Sequence, residues 1–295
     1  MEQSKVVLVT GSSSGFGRLI AETLARQGHQ VYASLRDADG RNAAAGAELR
    51  ELAAAENLSL QVVELDVTDD ASVDREVNRI TQESGRIDVL VNNAGAAYMG
   101  PAEAFTVEQV RQQFDTNFFS IVRMNRAVLP HMRHQGSGLL VYISSVLGRL
   151  VFPFTGIYNS SKFAVEGLAE AYRYELGPLG IDTAIVEPGA YPTSLFGRAA
   201  TPDDADRLAG YGALAPIQEQ MTAGLQEMLS GANAPNPQDV ADVVAALVNT
   251  PSGQRALRTL VGQDAVAATQ LNQVAEQTQY GLLAQFGLQD LAKAA

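Results

Sequence analysis

Short apolar runs at 6–9, 31–33, 60–65, 89–91, 139–143, 183–186 and 259–261 punctuate the chain, and longer amphipathic stretches separate them. Several runs, such as Val-Val-Leu-Val at 6–9, are apolar without alternation, as strands buried on both faces should be. The stretches 18–27, 41–56, 71–83, 107–134, 158–176 and 237–249 carry helical spacing instead. Strand then helix, repeated, predicts an α/β fold: a parallel sheet of about seven strands with helices on both faces. Right-handed crossovers leave few topologies for it. The alanine-rich stretch 43–55 reads as a solvated helix rather than a low-complexity segment. No repeat or internal boundary is visible, so 1–295 reads as one domain. Within it, prolines and glycines interrupt short helical pieces over 191–237, directly after a strand, where a lid over a site belongs. Residues 238–295 read as a C-terminal helix–strand–helix part.

Composition narrows the function. Of 295 residues, 46% are hydrophobic and 18% charged, enough for a sizeable core. The net charge of −12 argues against a nucleic-acid partner, which needs clustered cations. There is no cysteine, and the three histidines, His29, His131 and His134, read as surface or helix-end residues, so no metal site is expected. The apolar opening at 6–9 is shorter than the roughly 7–15 residues of a secretory leader. No stretch approaches the roughly 20 apolar residues of a membrane span. The expectation is a soluble cytoplasmic protein with no membrane partner.

The first strand candidate runs into Thr10-Gly11-Ser12-Ser13-Ser14-Gly15-Phe16-Gly17, and a helix follows. Glycines there allow a tight turn and close approach of backbone N–H groups to a pyrophosphate, which the helix N-terminus favours. Alone, such a triplet is equally well a plain strand–helix turn. Its spacing is not that of a phosphate loop, which needs Gly-Lys-Ser/Thr. Further on come Asp66-Val67, Asn92-Asn93-Ala94-Gly95, Asn117, Ser145, Tyr158-x-x-x-Lys162 and Pro188-Gly189. In order and spacing, over roughly 5–195, these elements resemble the short-chain dehydrogenase/reductase family, in its single-domain branch. Residues 31–37 and 142–170 are most similar to its hydroxysteroid and retinol dehydrogenase members.

The resemblance implies a doubly wound, Rossmann-type fold and a nicotinamide dinucleotide. Gly11, Ser12, Ser14, Gly15, Phe16 and Gly17 would cradle its phosphates. Leu35 stands where the family's NAD-dependent members carry Asp, and Arg36 follows. A guanidinium suits a 2′-phosphate, and Ser12 could add a hydroxyl, so the expected cofactor is NADP(H). Arg36 could instead be a solvated strand-end charge, and Asp37 could compete with it. Ser14 stands where some NADP-dependent relatives have a second basic residue. Asp66 and Val67 would meet the adenine, although Asp66 could equally cap a helix with Thr68. Asn92, Asn93 and Gly95 would leave room beside the ribose, with Asn93 also tying strands together. Pro188 and Gly189 would border the nicotinamide, and Thr193 would reach its carboxamide.

Tyr158 and Lys162, four apart, share one face of a helix. A phenol titrates near 10, and a neighbouring ammonium lowers that value, suiting it to acid–base work. Any helix can hold such a pair by chance; the surrounding motifs give it meaning. The family assigns Tyr158 the proton transfer, Ser145 the substrate oxygen, and Asn117 a water that links Lys162 to solvent. Asn117 could instead bond locally to backbone. The reaction expected is hydride exchange between nicotinamide and a carbonyl or secondary alcohol. An NAD-linked alcohol dehydrogenase of the same fold, or a non-catalytic dinucleotide sensor, are the alternatives. Phe152, Phe154, Tyr191, Leu195 and Phe196 could line an apolar substrate pocket or be ordinary core. Ala164, Gly167, Leu168 and Ala171 give the helix after Tyr158 a small-residue face on which relatives form homodimers or homotetramers.

Overall fold

The computed structural model describes residues 4–292. Its first half runs β1 (Val6–Val9), α1 (Gly15–Arg26), β2 (Gln30–Leu35), α2 (Ala43–Glu56), β3 (Leu60–Glu64), α3 (Asp70–Ser84), β4 (Val89–Asn92), α4 (Val107–Phe114) and α5 (Ser120–Gln135). Then come β5 (Gly138–Ile143), α6 (Gly156–Leu176), β6 (Ile181–Pro188), α7 (Ser194–Gly197), α8 (Ala205–Ala209), α9 (Ala215–Ser230), α10 (Gln238–Asn249), β7 (Arg258–Val261) and α11 (Thr269–Gln285). The strands pair in parallel throughout, in the order β3-β2-β1-β4-β5-β6-β7. This is the expected single-domain, doubly wound sheet with helices on both faces. The chain reverses direction across the sheet between β1 and β4, and a crevice opens there at the carboxyl ends of the strands.

Both faces of the sheet are dry along its central strands. Val7 and Val9 of β1 pack with Ile20 of α1 and Val244 of α10 on one side. Val6 and Leu8, one residue out of phase, pack with Ile80 of α3, Val128 of α5 and Val165 of α6 on the other. Burying each such side chain stabilises the fold by about 1.5–3 kcal/mol relative to exposure. Runs such as 6–9 lack alternation because water reaches neither face.

The structure differs from the sequence expectation in three places. The single helix expected over 107–134 is α4 and α5 joined by a π-helical turn at Asp115–Phe119. That wider turn aims Asn117 out of the helix, and such turns concentrate at functional sites. His29 is buried, not exposed: its Nδ1 accepts the Lys5 backbone N–H at 3.3 Å, and Nε2 lies 3.1 Å from Asn249 Oδ1. The end of α10 covers it, which periodicity along α1 could not reveal. Residues 191–237 hold, besides the short α7 and α8, one continuous helix of 16 residues, α9, which buries none of its residues. The segment is tied back where Ala200 exchanges backbone hydrogen bonds with Ala97 and Met99, each at 2.9 Å. At the other end, β7 extends the sheet beyond β6 and α11 follows it. Among the described residues no helix is long and apolar enough to cross a membrane.

Candidate active site

A cavity of about 680 Å³ lies along the carboxyl edge of the sheet and takes lining from the ends of six strands. At its near wall, β1 turns through Gly11, whose φ of +70° suits glycine. The same residue must be small, because a Cβ there would sit 2.9 Å from Ala94 Cα. Thr10 and Asn93 lock this contact. The Thr10 hydroxyl accepts the backbone N–H groups of Asn93 at 2.9 Å and Ala94 at 3.0 Å. Asn93 Nδ2 donates to the carbonyls of Thr10 at 2.8 Å and Gly11 at 3.2 Å. Helix α1 opens into the cavity with Gly15 and Phe16 on its wall. Its N-cap Ser14 makes no side-chain bond to the first-turn amides. Those amides and the positive end of the helix therefore suit an anionic group.

The expected cofactor residues divide. Gly11, Ser14, Gly15, Phe16, Arg36, Asp66, Val67, Asn93, Gly95, Pro188, Gly189 and Thr193 all line the cavity. Ser12, Gly17 and Asn92 are not among its lining. Ser12 is fully buried, its hydroxyl donating to Val9 at 3.0 Å, and Ser13 and Ser14 take the wall. Gly17 lies beneath the turn, against Asn93 and Gly11. Asn92 turns into the core, donating to Asn125 Oδ1 at 3.1 Å, and Asn125 donates to the Tyr142 hydroxyl at 2.8 Å. Asp66 accepts both the backbone N–H and the hydroxyl of Thr68 through Oδ1, at 2.9 and 2.7 Å. The cap of α3 is Asp69, which accepts the Ala71 N–H at 3.0 Å. Asp66 thus shapes a turn while still facing the cavity.

Past β2, Leu35, Arg36, Arg41 and Asn42 form the far rim. Asp37 does not line it. With φ of +52°, Asp37 folds under its own turn, where Oδ2 accepts the Arg41 backbone N–H at 3.0 Å. The carboxylate that could have opposed Arg36 is thereby turned away, and a second cation, Arg41, is brought to the rim. Sequence reasoning missed Arg41, because its place depends on the fold-back of 37–41. The signal lay in Asp37 and Gly40, since Gly40 packs directly against the Asp37 carboxylate.

At the opposite end, Ser145, Tyr158 and Lys162 converge on the cavity. Ser145 is the group whose hydrogen-bonding pull opposes the rise of the Tyr158 phenol. Ser145 Oγ accepts the Leu147 N–H at 3.1 Å. Lys162 Nζ donates to the Ile143 carbonyl at 2.8 Å and stands 5.8 Å from the centre of the Tyr158 ring. Burial pushes the Tyr158 phenol up to about 12 and the Lys162 ammonium down to about 8. Desolvation dominates the phenol, and the group that opposes it is Ser145 rather than the lysine expected from the spacing. Asn117 is buried outside the cavity lining. Its Oδ1 accepts the Ala96 N–H at 2.8 Å, and its Nδ2 donates to Ala96 O and Ser161 Oγ, each at 3.0 Å. These bonds reach across to the strand-end loop and to α6, not locally along the helix; Thr116 faces the cavity instead.

Tyr191, Leu195 and Phe196 line the cavity, with the Phe196 ring 6.2 Å from that of Tyr158 and Tyr191 edge-on to Phe16 at 5.5 Å. Phe152 and Phe154, from the same expected set, are not in the lining, and Phe152 is half exposed. Among the described residues no group of His, Asp and Glu could hold a metal ion.

The chain is similar to known proteins. A family model described as short chain dehydrogenase matches residues 5–203. An uncharacterized oxidoreductase of Bacillus subtilis, YusZ, is 38% identical over 250 residues, which are 82% of this chain and 84% of that protein. Bovine retinol dehydrogenase 8 is 35% identical over 253 residues, 83% of this chain and 78% of its own. The crystal structure of a short-chain dehydrogenase from Streptomyces avermitilis is similar with a TM-score of 0.76 and 35% identity, covering 96% of this chain and 98% of that one.

Proposed function

The chain belongs to the short-chain dehydrogenase family, and we propose that it is an NADP(H)-dependent oxidoreductase acting on an apolar ketone, aldehyde or secondary alcohol. One observation carries this reading: a single cavity has Arg36 and Arg41 at one end and Ser145, Tyr158 and Lys162 at the other. Between them lie the small-residue turn at Gly11 and the open N-terminus of α1, a cradle suited to a pyrophosphate. Arg36 and Arg41 would hold the 2′-phosphate, and Gly95, Val67 and Asp66 would flank the adenosine. Pro188, Gly189 and Thr193 would border the nicotinamide.

Bound in that position, the reduced nicotinamide supplies the hydride. The residues of the chain do the rest. Ser145 holds the substrate oxygen by a hydrogen bond and stabilises the charge that grows on it. Tyr158 donates a proton to that oxygen, and the Lys162 ammonium favours the phenolate left behind. Asn117, through Ala96 and Ser161, ties the loop after β4 to α6, the helix that carries Tyr158 and Lys162. Tyr191, Leu195 and Phe196 give the substrate an apolar, water-poor berth, in keeping with the relative named for retinol.

Cofactor choice is tested by titrating the protein with NADPH and NADH. NADPH is expected to bind more tightly by at least about tenfold, the equivalent of about 1.4 kcal/mol. Leu35→Asp, which adds a carboxylate beside the 2′-phosphate, should narrow or reverse that ratio. Tighter binding of NADH by the unmodified protein would reject the assignment.

The pH dependence has a definite sign. With its pKa raised to about 12, Tyr158 keeps its proton at neutral pH and is ready to donate it. Ketone reduction should therefore run well near pH 7. Alcohol oxidation, which needs the phenolate, should climb as pH rises. Rates measured in both directions between pH 6 and 10, chosen to bracket the reference values of Lys and Tyr, check this; oxidation that falls across the range contradicts it.

Phe163 is partly exposed on the outer face of α6, and Gly167 beside it has open space. This face suits association of the chain with further copies of itself through close helix packing.

A further inference from the structure

One helical turn beyond Lys162, on the same face of α6, the Glu166 side chain is 3% exposed. Arg258, at the start of β7, brings Nε within 3.0 Å of its Oε2. The same Nε lies 3.3 Å from Oε1 of Glu187, a fully buried residue of β6 just before Pro188. Glu170, on the next turn of α6, accepts from Arg258 Nη2 at 2.6 Å and from the Tyr174 hydroxyl at 2.7 Å. From α11, Asn272 donates to Glu187 Oε2 at 2.6 Å and accepts from Arg149 Nε at 2.7 Å. The turn after Ser145 packs on the same cluster: a Cβ on Gly148 would lie 2.8 Å from Ser144 Oγ and 3.0 Å from Glu166 Cγ.

Buried carboxylates are costly unless paired, and here two, Glu166 and Glu187, share one guanidinium with the partly exposed Glu170. Burial raises the Glu166 carboxyl above its usual range, against the opposing pull of Ser144, Arg258 and Arg149. Glu187, buried and repelled by Glu166, is pushed up to about 7. Burial lowers Lys162 to about 8, and Glu166 is the charge that opposes the fall. None of Glu166, Glu187 and Arg258 lines the cavity.

We propose that Glu166 is a positioning residue for Lys162: gripped by Arg258 in competition with Glu187, its carboxylate keeps the ammonium charged beside Tyr158. The C-terminal strand β7 thereby acts on the reaction centre through Arg258 without touching substrate. The consequence for turnover rests on the reading of Tyr158 and Lys162 given above, whereas the coupling itself is measurable in the protein alone.

Lysine occurs at only three positions, 5, 162 and 293. The 13Cε resonance of Lys162 can therefore be assigned with Lys162→Met and followed against pH in the full chain without cofactor. Glu166→Gln should lower the Lys162 midpoint by about half a pH unit or more, because the opposing charge is gone. Glu187→Gln, which leaves Arg258 to Glu166, should not lower it. Glu166→Asp, which keeps the charge, should recover most of the loss. The alkaline limb of kcat/KM should follow the same order. An unchanged midpoint in Glu166→Gln, or an equal fall in both glutamine variants, overturns the proposal. A Tyr158→Phe variant that stays active while the NMR order holds would sink the reaction assignment and leave the coupling standing.

Discussion

Tyr158→Phe is expected to lower kcat for carbonyl reduction by about 10²–10⁴-fold, the usual contribution of a positioned acid. The substitution removes one oxygen from a buried ring. It leaves the edge-on contact with Phe196 at 6.2 Å and the position of Lys162 above the ring at 5.8 Å. Dinucleotide affinity should therefore be unchanged, since the turn at Gly11 and the Arg36–Arg41 rim are untouched. Steady-state kinetics beside a fluorescence titration of NADPH separates the two quantities. A loss of binding equal to the loss of rate would mean that the phenol supports the cleft rather than the proton transfer.

Gly17→Ala is expected to disable the cleft from the other end. A Cβ there would lie 2.3 Å from Asn93 Nδ2 and 2.4 Å from the Gly11 carbonyl. Neither neighbour can yield cheaply. Asn93 is held by the Thr10 and Gly11 carbonyls that it joins, and Gly11 is pressed against Ala94. Relief requires α1 to move off the sheet or the tie between β1 and β4 to break. Overpacking of this kind costs about 1–3 kcal/mol of stability. Because the first-turn amides of α1 shift with it, dinucleotide affinity should also fall by more than about tenfold. Urea denaturation and NADPH titration read the two effects. Gly224→Ala inside exposed α9, where a Cβ meets nothing within 4 Å, serves as the comparison and should stabilise by about 0.5–1 kcal/mol, the ordinary gain of alanine over glycine within a helix.

Much of this was legible from residue order. The central apolar runs became strands because water reaches neither face of the sheet there, so their composition alone marks them. The motif positions converge because parallel crossovers return every strand end to one edge. What could not be read depends on contacts distant in sequence. Asn92 and Asn93 are adjacent and chemically identical, yet one is bonded into the core through Asn125 and the other clamps the first turn. The π-turn at Asp115–Phe119 hides inside a stretch whose apolar spacing continues on both sides. Arg41 reaches the rim only because Asp37 folds beneath 37–41. Arg258 lies 92 residues after Glu166, in a segment with no motif, and meets it only because β7 pairs beside β6. The Tyr158 phenol is raised rather than lowered because enclosure, which no spacing of residues reveals, dominates its surroundings.

The most direct test follows the absorbance of NADPH in the presence of a panel of apolar ketones and aldehydes, with Tyr158→Phe alongside. The unmodified protein should consume NADPH only when a carbonyl compound is present, and the variant should consume almost none. Tight NADPH binding with no carbonyl-dependent consumption anywhere in the panel, or equal consumption by the variant, would contradict proton donation by Tyr158 and point to a protein that binds the dinucleotide without using it.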